Sequence, residues 1–172
     1  MTMAWIEAVN DFIAQGGTVV KLILVAAVML WTLVTERYLF FLWVYPRLQR
    51  QWLQRWHQRR DKHSWYALKI RERLISEARL QLRRTLPLIK VLVSLSPLLG
   101  LFGTVNGMIH MFDALAVFGT GNARAMATHI SHATLPTLAG MTLAIAGLYA
   151  SQRIERRVEA ATRHLSDQLH FE

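Results

Sequence analysis

A chain of 172 residues has room for one domain; 53% of it is apolar, and twenty lysines and arginines against eleven acids leave a net charge of +9. The absence of cysteine excludes a disulfide framework and a thiolate metal site. Apolar residues and charges are segregated along the chain: no Lys, Arg, Asp or Glu lies between Val91 and Phe112 or between Ala125 and Gln152. Crossing a bilayer takes roughly 20 apolar residues, so each stretch is long enough for a transmembrane helix.

In chain order, residues 1–17 carry no Lys or Arg and lack the basic region and small-residue cleavage site of a signal peptide, so they are read as mature sequence. A first transmembrane helix is predicted over 18–45. Its uncharged core, Leu22 to Thr35, is short, and reaches full length if Lys21 extends its ammonium to the headgroups while Glu36 and Arg37 neutralise one another at the other edge. Tyr38, Phe40, Phe41, Trp43 and Tyr45 then form an interfacial belt. A helix lying flat on the surface is disfavoured, because Leu22 to Val34 is apolar on every face.

Residues 46–87 form a basic segment, with twelve Lys and Arg between Arg47 and Arg84 against Asp61, Glu72 and Glu77. Its run Arg47, Arg50, Arg55, Arg59, Arg60 and Lys62 is interleaved with Trp52, Trp56 and Trp65, a pattern seen in nucleic-acid binders. Lying between two spans, it is read instead as a solvated helix beside anionic membrane lipids, with no nucleic acid. Leu68, Leu74, Ile75, Ala78, Leu82 and Leu86 recur at helical spacing and predict cytoplasmic helices that pack together. A second span covers 88–113, a short connection 114–131, a third span 132–152 and a tail 153–172. Basic residues concentrate in 46–87 and in the tail, which places both in the cytoplasm and the N-terminus and short connection outside. The fold class is all-α: three transmembrane helices extended into cytoplasmic helices.

The second span holds Ser96-Pro97-Leu98-Leu99-Gly100-Leu101-Phe102-Gly103-Thr104-Val105-Asn106-Gly107. Gly100, Gly103, Thr104, Gly107 and Met111 fall on one side, a stripe of small residues that lets helices approach closely. Pro97 cannot donate to the carbonyl of Val93, so a kink is expected there, with Ser94 or Ser96 helping to satisfy the backbone. A phosphate loop is excluded, since no Lys follows and no strand precedes. The third span contains Thr134-Leu135-Pro136-Thr137-Leu138-Ala139-Gly140-Met141, with Thr134, Thr137, Met141 and Thr142 toward one side. Such hydroxyls either bond back to their own helix or line a wet or partner-filled cavity.

The pattern Ser96-Pro97-x-x-Gly100-Leu101-Phe102-Gly103-Thr104-Val105-x-Gly107-x-x-x-x-Phe112 resembles the signature of the MotA/TolQ/ExbB proton channel family, in its TolQ/ExbB branch. Ala133 to Met141, Gly16-Gly17 and Glu36-Arg37-Tyr38 are similar to short ExbB proteins with little C-terminal extension. The resemblance implies a bacterial inner-membrane protein with a periplasmic N-terminus and a cytoplasmic C-terminus. It also implies a homopentameric bundle around a central pore lined by the second and third spans. An ExbD-type partner would insert a helix bearing an aspartate, and a TonB-like protein would carry the work to outer-membrane receptors. Carried over position by position, Thr104 and Thr137 match threonines that face the aspartate, and Gly100, Gly107 and Thr134 share that lining. TolQ-like envelope maintenance, a flagellar-stator role and a non-conducting scaffold are the alternatives; the short tail and the Ala133–Gly140 motif favour the ExbB side. No cofactor is implied, and an enzyme is disfavoured because no nucleophile–base or metal cluster shares one depth.

One position departs from the larger members: His132 stands where they place a membrane glutamate, so the ionisable group should come mainly from the partner. His132 itself has two readings, a proton relay that titrates near neutrality or a neutral histidine bonded to Asn106, His110 or His129 of a neighbour. Asn106, His110 and Asp113 form a second polar edge, suited to subunit contact or headgroups. A metal site from His110, His129 and His132 lacks a completing carboxylate.

Overall fold

The computed structural model describes residues 2–58, 65–118 and 123–169, and all of the regular structure in them is helical. Helix α1 (Thr2–Leu39) is broken at Gly17, whose φ of 63° and ψ of −154° lie where only glycine is unstrained. A five-residue π-helical segment, Phe40–Val44, leads without a break into α2 (Tyr45–His57), whose Pro46 has no N–H to give to a carbonyl of the preceding turn. Helices α3 (Trp65–Arg83), α4 (Leu86–Phe118) and α5 (Ala123–Gln168) follow. Three helical stretches are long and apolar enough to cross a membrane, within Gly17–Trp56, Trp65–Val117 and His132–Gln168. Both ends of the expected 114–131 connection are helical; residues 119–122, like Arg59, Arg60, Asp61 and Lys62, lie outside those described.

The chain forms two compact units, one from residues 1–31 and 91–148, the other from 32–90 and 149–172. In the first, helix flanks of α1, α4 and α5 meet around Val19, Val20, Ile23, Leu30, Val93, Ala133 and Leu143, all buried. The rest of the surface is also apolar, with Leu98, Leu101, Phe102, Val105, Ile109 and Phe112 exposed on α4 alone. A helix apolar on all sides suits surroundings of hydrocarbon or neighbouring helices rather than water.

The second unit has a core of its own. Trp52, Trp56, Ala67, Leu74, Ala78, Leu165 and Leu169 are buried together. Two of the three interleaved tryptophans are therefore core residues rather than part of a solvated face, while Trp65 is exposed. The helical spacing expected for 67–88 holds with one correction: Ala67, not Leu68, points inward, because the buried line runs Ala67, Leu74, Ala78, Leu82, Leu86 and Ile89. Arg71 donates to the carbonyls of Leu169 (2.8 Å) and Ser166 (2.9 Å), satisfying backbone acceptors at the end of α5 that have no partner within the helix.

Arg37 is the most deeply placed charge in this unit, with 3% exposure. Its Nε and Nη2 both donate to Thr85 Oγ1, the former over 2.6 Å, and its Nη1 donates to the Gln81 carbonyl over 3.4 Å. Glu36 lies 3.7 Å from Nε, so the pair expected to neutralise itself does so in part, and Thr85, 48 positions along the chain, and the Gln81 carbonyl supply the other acceptors. Burying a guanidinium is tolerated only when its donors are used. Thr85→Val, which keeps shape but removes the acceptor, is expected to lower stability by about 1–3 kcal/mol. This would be read as a fall in the thermal midpoint in detergent, and an unchanged midpoint would show that the guanidinium finds other acceptors.

Candidate functional site

The site is built where α4 and α5 run closest, inside the first unit. Four glycines make that approach, each lacking the methylene that would prevent it. A Cβ on Gly140 would sit 2.5 Å from the Ser96 carbonyl oxygen and 3.1 Å from Gly100 Cα, so the two backbones touch directly. On Gly100 it would meet the Pro136 carbonyl and Thr137 Cα, both at 3.0 Å. On Gly103 it would meet the Pro136 ring at 2.3 Å, and on Gly107 the Ala133 Cβ at 2.6 Å. The small-residue stripe of α4 thus faces α5 of its own chain, and the Pro136 ring fills the space that Gly103 leaves.

The two prolines sit inside continuous helices. Pro97 removes one backbone donor, and the neighbouring Ser96 hydroxyl, fully buried, donates to the Leu92 carbonyl over 2.8 Å. The serine therefore serves the carbonyl one residue before Val93, whose own donor the proline has deleted.

The hydroxyls then take defined places. Thr137 donates across the contact to the Gly100 carbonyl over 3.2 Å, a bond between helices. Thr104, half-buried at the edge of the stripe, donates to the Leu101 carbonyl of its own helix over 2.8 Å. Thr142 likewise bonds Leu138 over 2.7 Å. Of the residues singled out from sequence, the structure brings Gly100 and Thr137 into contact. It sets Gly107 against Ala133, between His132 and Thr134 in the chain. Thr134 is exposed and His132 half-exposed. The side chain of His129 lies outside those described, and among the described residues no three His, Asp or Glu side chains gather as a metal site would require.

Sequence reasoning did not single out Ala133, Pro136, Gly140 and Gly147 as one contact surface. Gly147 receives Leu30 and Val93, each 2.7 Å from where its Cβ would be. The signal was present in the Ala139-Gly140 pair, but a small residue does not reveal which helix it faces.

Residues 44–167 match the MotA/TolQ/ExbB proton channel family. The Tol-Pal system protein TolQ of Haemophilus influenzae is 35% identical over 79 residues, which cover 46% of this chain and 35% of that one. TolQ of Pseudomonas aeruginosa is 34% identical over 85 residues, covering 49% and 37%. The ExbB-like 1 protein of Synechocystis sp., named for biopolymer transport, is 41% identical over 71 residues, covering 40% and 28%. The chain spans about a third of the length of the curated relatives it matches.

Gly140→Val is expected to force α4 and α5 apart and destabilise the protein by about 1–3 kcal/mol, the usual cost of overpacking. Gly147→Ala should cost less, because it meets side-chain methyl groups of Leu30 and Val93 rather than backbone. Thermal unfolding in detergent checks both, and equal midpoints for the two variants would contradict the backbone contact. With α4 and α5 joined through these glycines and the match extending over residues 44–167, the chain belongs to the MotA/TolQ/ExbB proton channel family.

Proposed function

We propose that this chain is the proton-channel subunit of an ExbB–ExbD-type inner-membrane motor that couples the protonmotive force to TonB-dependent transport across the outer membrane. In this reading five copies surround a pore, with N-termini periplasmic and C-termini cytoplasmic. A single-span partner within the pore brings an aspartate beside Thr104 and Thr137, and a TonB-like protein receives the work.

The observation that carries the reading is the state of those two hydroxyls. Each already donates its proton to a backbone carbonyl, Thr137 to Gly100 and Thr104 to Leu101. What each has left to offer is oxygen lone pairs, which accept hydrogen bonds. A protonated carboxylic acid has an O–H to donate to them, whereas a carboxylate does not. The lining thus favours the neutral form of a partner's acid, and neither uncharged stretch of the second and third spans supplies an acid of its own. A proton from the outer side neutralises the aspartate, its O–H bonds a threonine oxygen, and the partner helix is free to move. Release on the other side restores the carboxylate. Each proton crossing 100 mV yields about 2.3 kcal/mol.

A TolQ-like role in envelope maintenance is the second reading, favoured by the two TolQ relatives. Complementation separates them: an ExbB-type subunit restores uptake through TonB-dependent receptors, and a TolQ-type subunit restores resistance to detergents. A non-conducting scaffold would assemble and work regardless of an uncoupler. In whichever assay responds, Thr104→Val and Thr137→Val should each lower activity about tenfold, the equivalent of one lost hydrogen bond. The corresponding serine variants should keep most of it. Full activity in both valine variants at normal protein levels would remove these threonines from the lining.

A further inference from the structure

Beyond the α4–α5 contact, the second unit contains a cleft of about 530 Å³ lined by Thr32, Leu33, Glu36, Arg37, Phe40 and Arg84, with Gln81 and Thr85 at its polar end. We propose that this cleft binds the phosphodiester headgroup of an anionic phospholipid, with Arg84 making the contact. The site rests on the reading of these helices as membrane-spanning.

Three observations converge on that ligand. The first is charge. Two guanidinium groups and one carboxylate line the cleft, and the Glu36 carboxylate is engaged by Arg37 at 3.7 Å and by the Thr85 hydroxyl at 3.4 Å. The net positive charge is therefore left to Arg84, which is exposed and pairs with no acid among the described residues. Arg37 is too buried to reach a ligand, and its donors are committed to Thr85 and Gln81. An exposed guanidinium on the lining of the cleft matches a phosphate, which it can grip through two parallel N–H bonds.

The second is position in the chain. Glu36 and Arg37 directly follow the uncharged run Leu22 to Thr35, and Arg84 stands two residues before α4 begins at Leu86. Glu36 and Arg37 therefore stand at the edge of the apolar first span, and Arg84, with Lys90 between it and the charge-free run from Val91, stands in the charged segment that leads into the second. The third is the lining itself. Leu33, Phe40 and the methyl of Thr32 give the cleft an apolar side, which suits a glycerol backbone and the start of acyl chains better than a free, fully hydrated anion. Phe40 is held there by the Arg37 guanidinium, 5.0 Å above its ring.

Native mass spectrometry of the full chain in detergent, titrated with phosphatidylglycerol, phosphatidylcholine or inorganic phosphate, tests the assignment. Wild type should retain phosphatidylglycerol in preference to phosphatidylcholine, and a large excess of inorganic phosphate should not displace it. Arg84→Gln, a surface change that leaves the Arg37 network intact, should weaken phosphatidylglycerol binding about tenfold. Arg84→Lys should fall between them, and Arg79→Gln, an exposed arginine of α3 outside the cleft, should bind as wild type does. Equal retention of the two lipids, or an Arg84→Gln variant that binds like wild type, would overturn the site. Displacement by inorganic phosphate would overturn its assignment to a lipid. Threonine variants of the α4–α5 contact should bind phosphatidylglycerol normally, so failure here is distinguishable from failure of the channel reading.

Discussion

The contact on which the first unit depends is that of Gly140 with the backbone around Ser96. In hydrocarbon no hydrophobic force draws helices together, so association must come from close packing and interhelical hydrogen bonds. A Cβ at Gly140 would stand 2.5 Å from a carbonyl oxygen, a distance no side chain accepts, and the approach exists because hydrogen takes its place. Gly100, Gly103 and Gly107 continue the same seam along α4, meeting Thr137, Pro136 and Ala133 in turn. The seam also sets the chemistry. At this separation the Thr137 hydroxyl reaches the Gly100 carbonyl, which leaves its oxygen free to act only as an acceptor toward any further partner.

The second unit is organised by a different constraint, the placement of many cations around few acids. Lys90 holds both oxygens of Glu155 at 2.8 Å, and Glu159 is shared by Arg83 at 3.8 Å and Arg163 at 3.5 Å. These exposed pairs contribute little stability each. The buried elements matter more: the Trp52 and Trp56 core, the Arg37–Thr85 network, and the Arg71 bonds that close the end of α5. Arginine suits all of these roles because its planar donors satisfy several carbonyls or hydroxyls at once.

Much of this could be read from residue order, for physical reasons. A charge-free run such as Val91 to Phe112 has few fates other than a membrane helix, and helical spacing in α3 placed Leu74, Ala78 and Leu82 inward. What escaped were relations between distant residues. The Gly stripe announced a close neighbour without naming Pro136 and Ala133. Glu36 and Arg37 looked self-sufficient, whereas Arg37 needed a hydroxyl 48 positions away. Leu68 drew attention as the larger apolar residue, yet Ala67, seven residues before Leu74, lies on the buried line and Leu68 is exposed. The π-helical turn Phe40–Val44 has no composition of its own that could have announced it.

The central claim is that the threonine lining presents acceptors to an acid it does not itself possess. Proton flux into liposomes under an imposed potential tests it most directly, with the chain reconstituted alone and together with a single-span partner carrying a membrane aspartate. The account predicts negligible flux from the chain alone and a clear flux with the partner, lost when the aspartate is replaced by asparagine. Equal flux from the chain without any partner would contradict it.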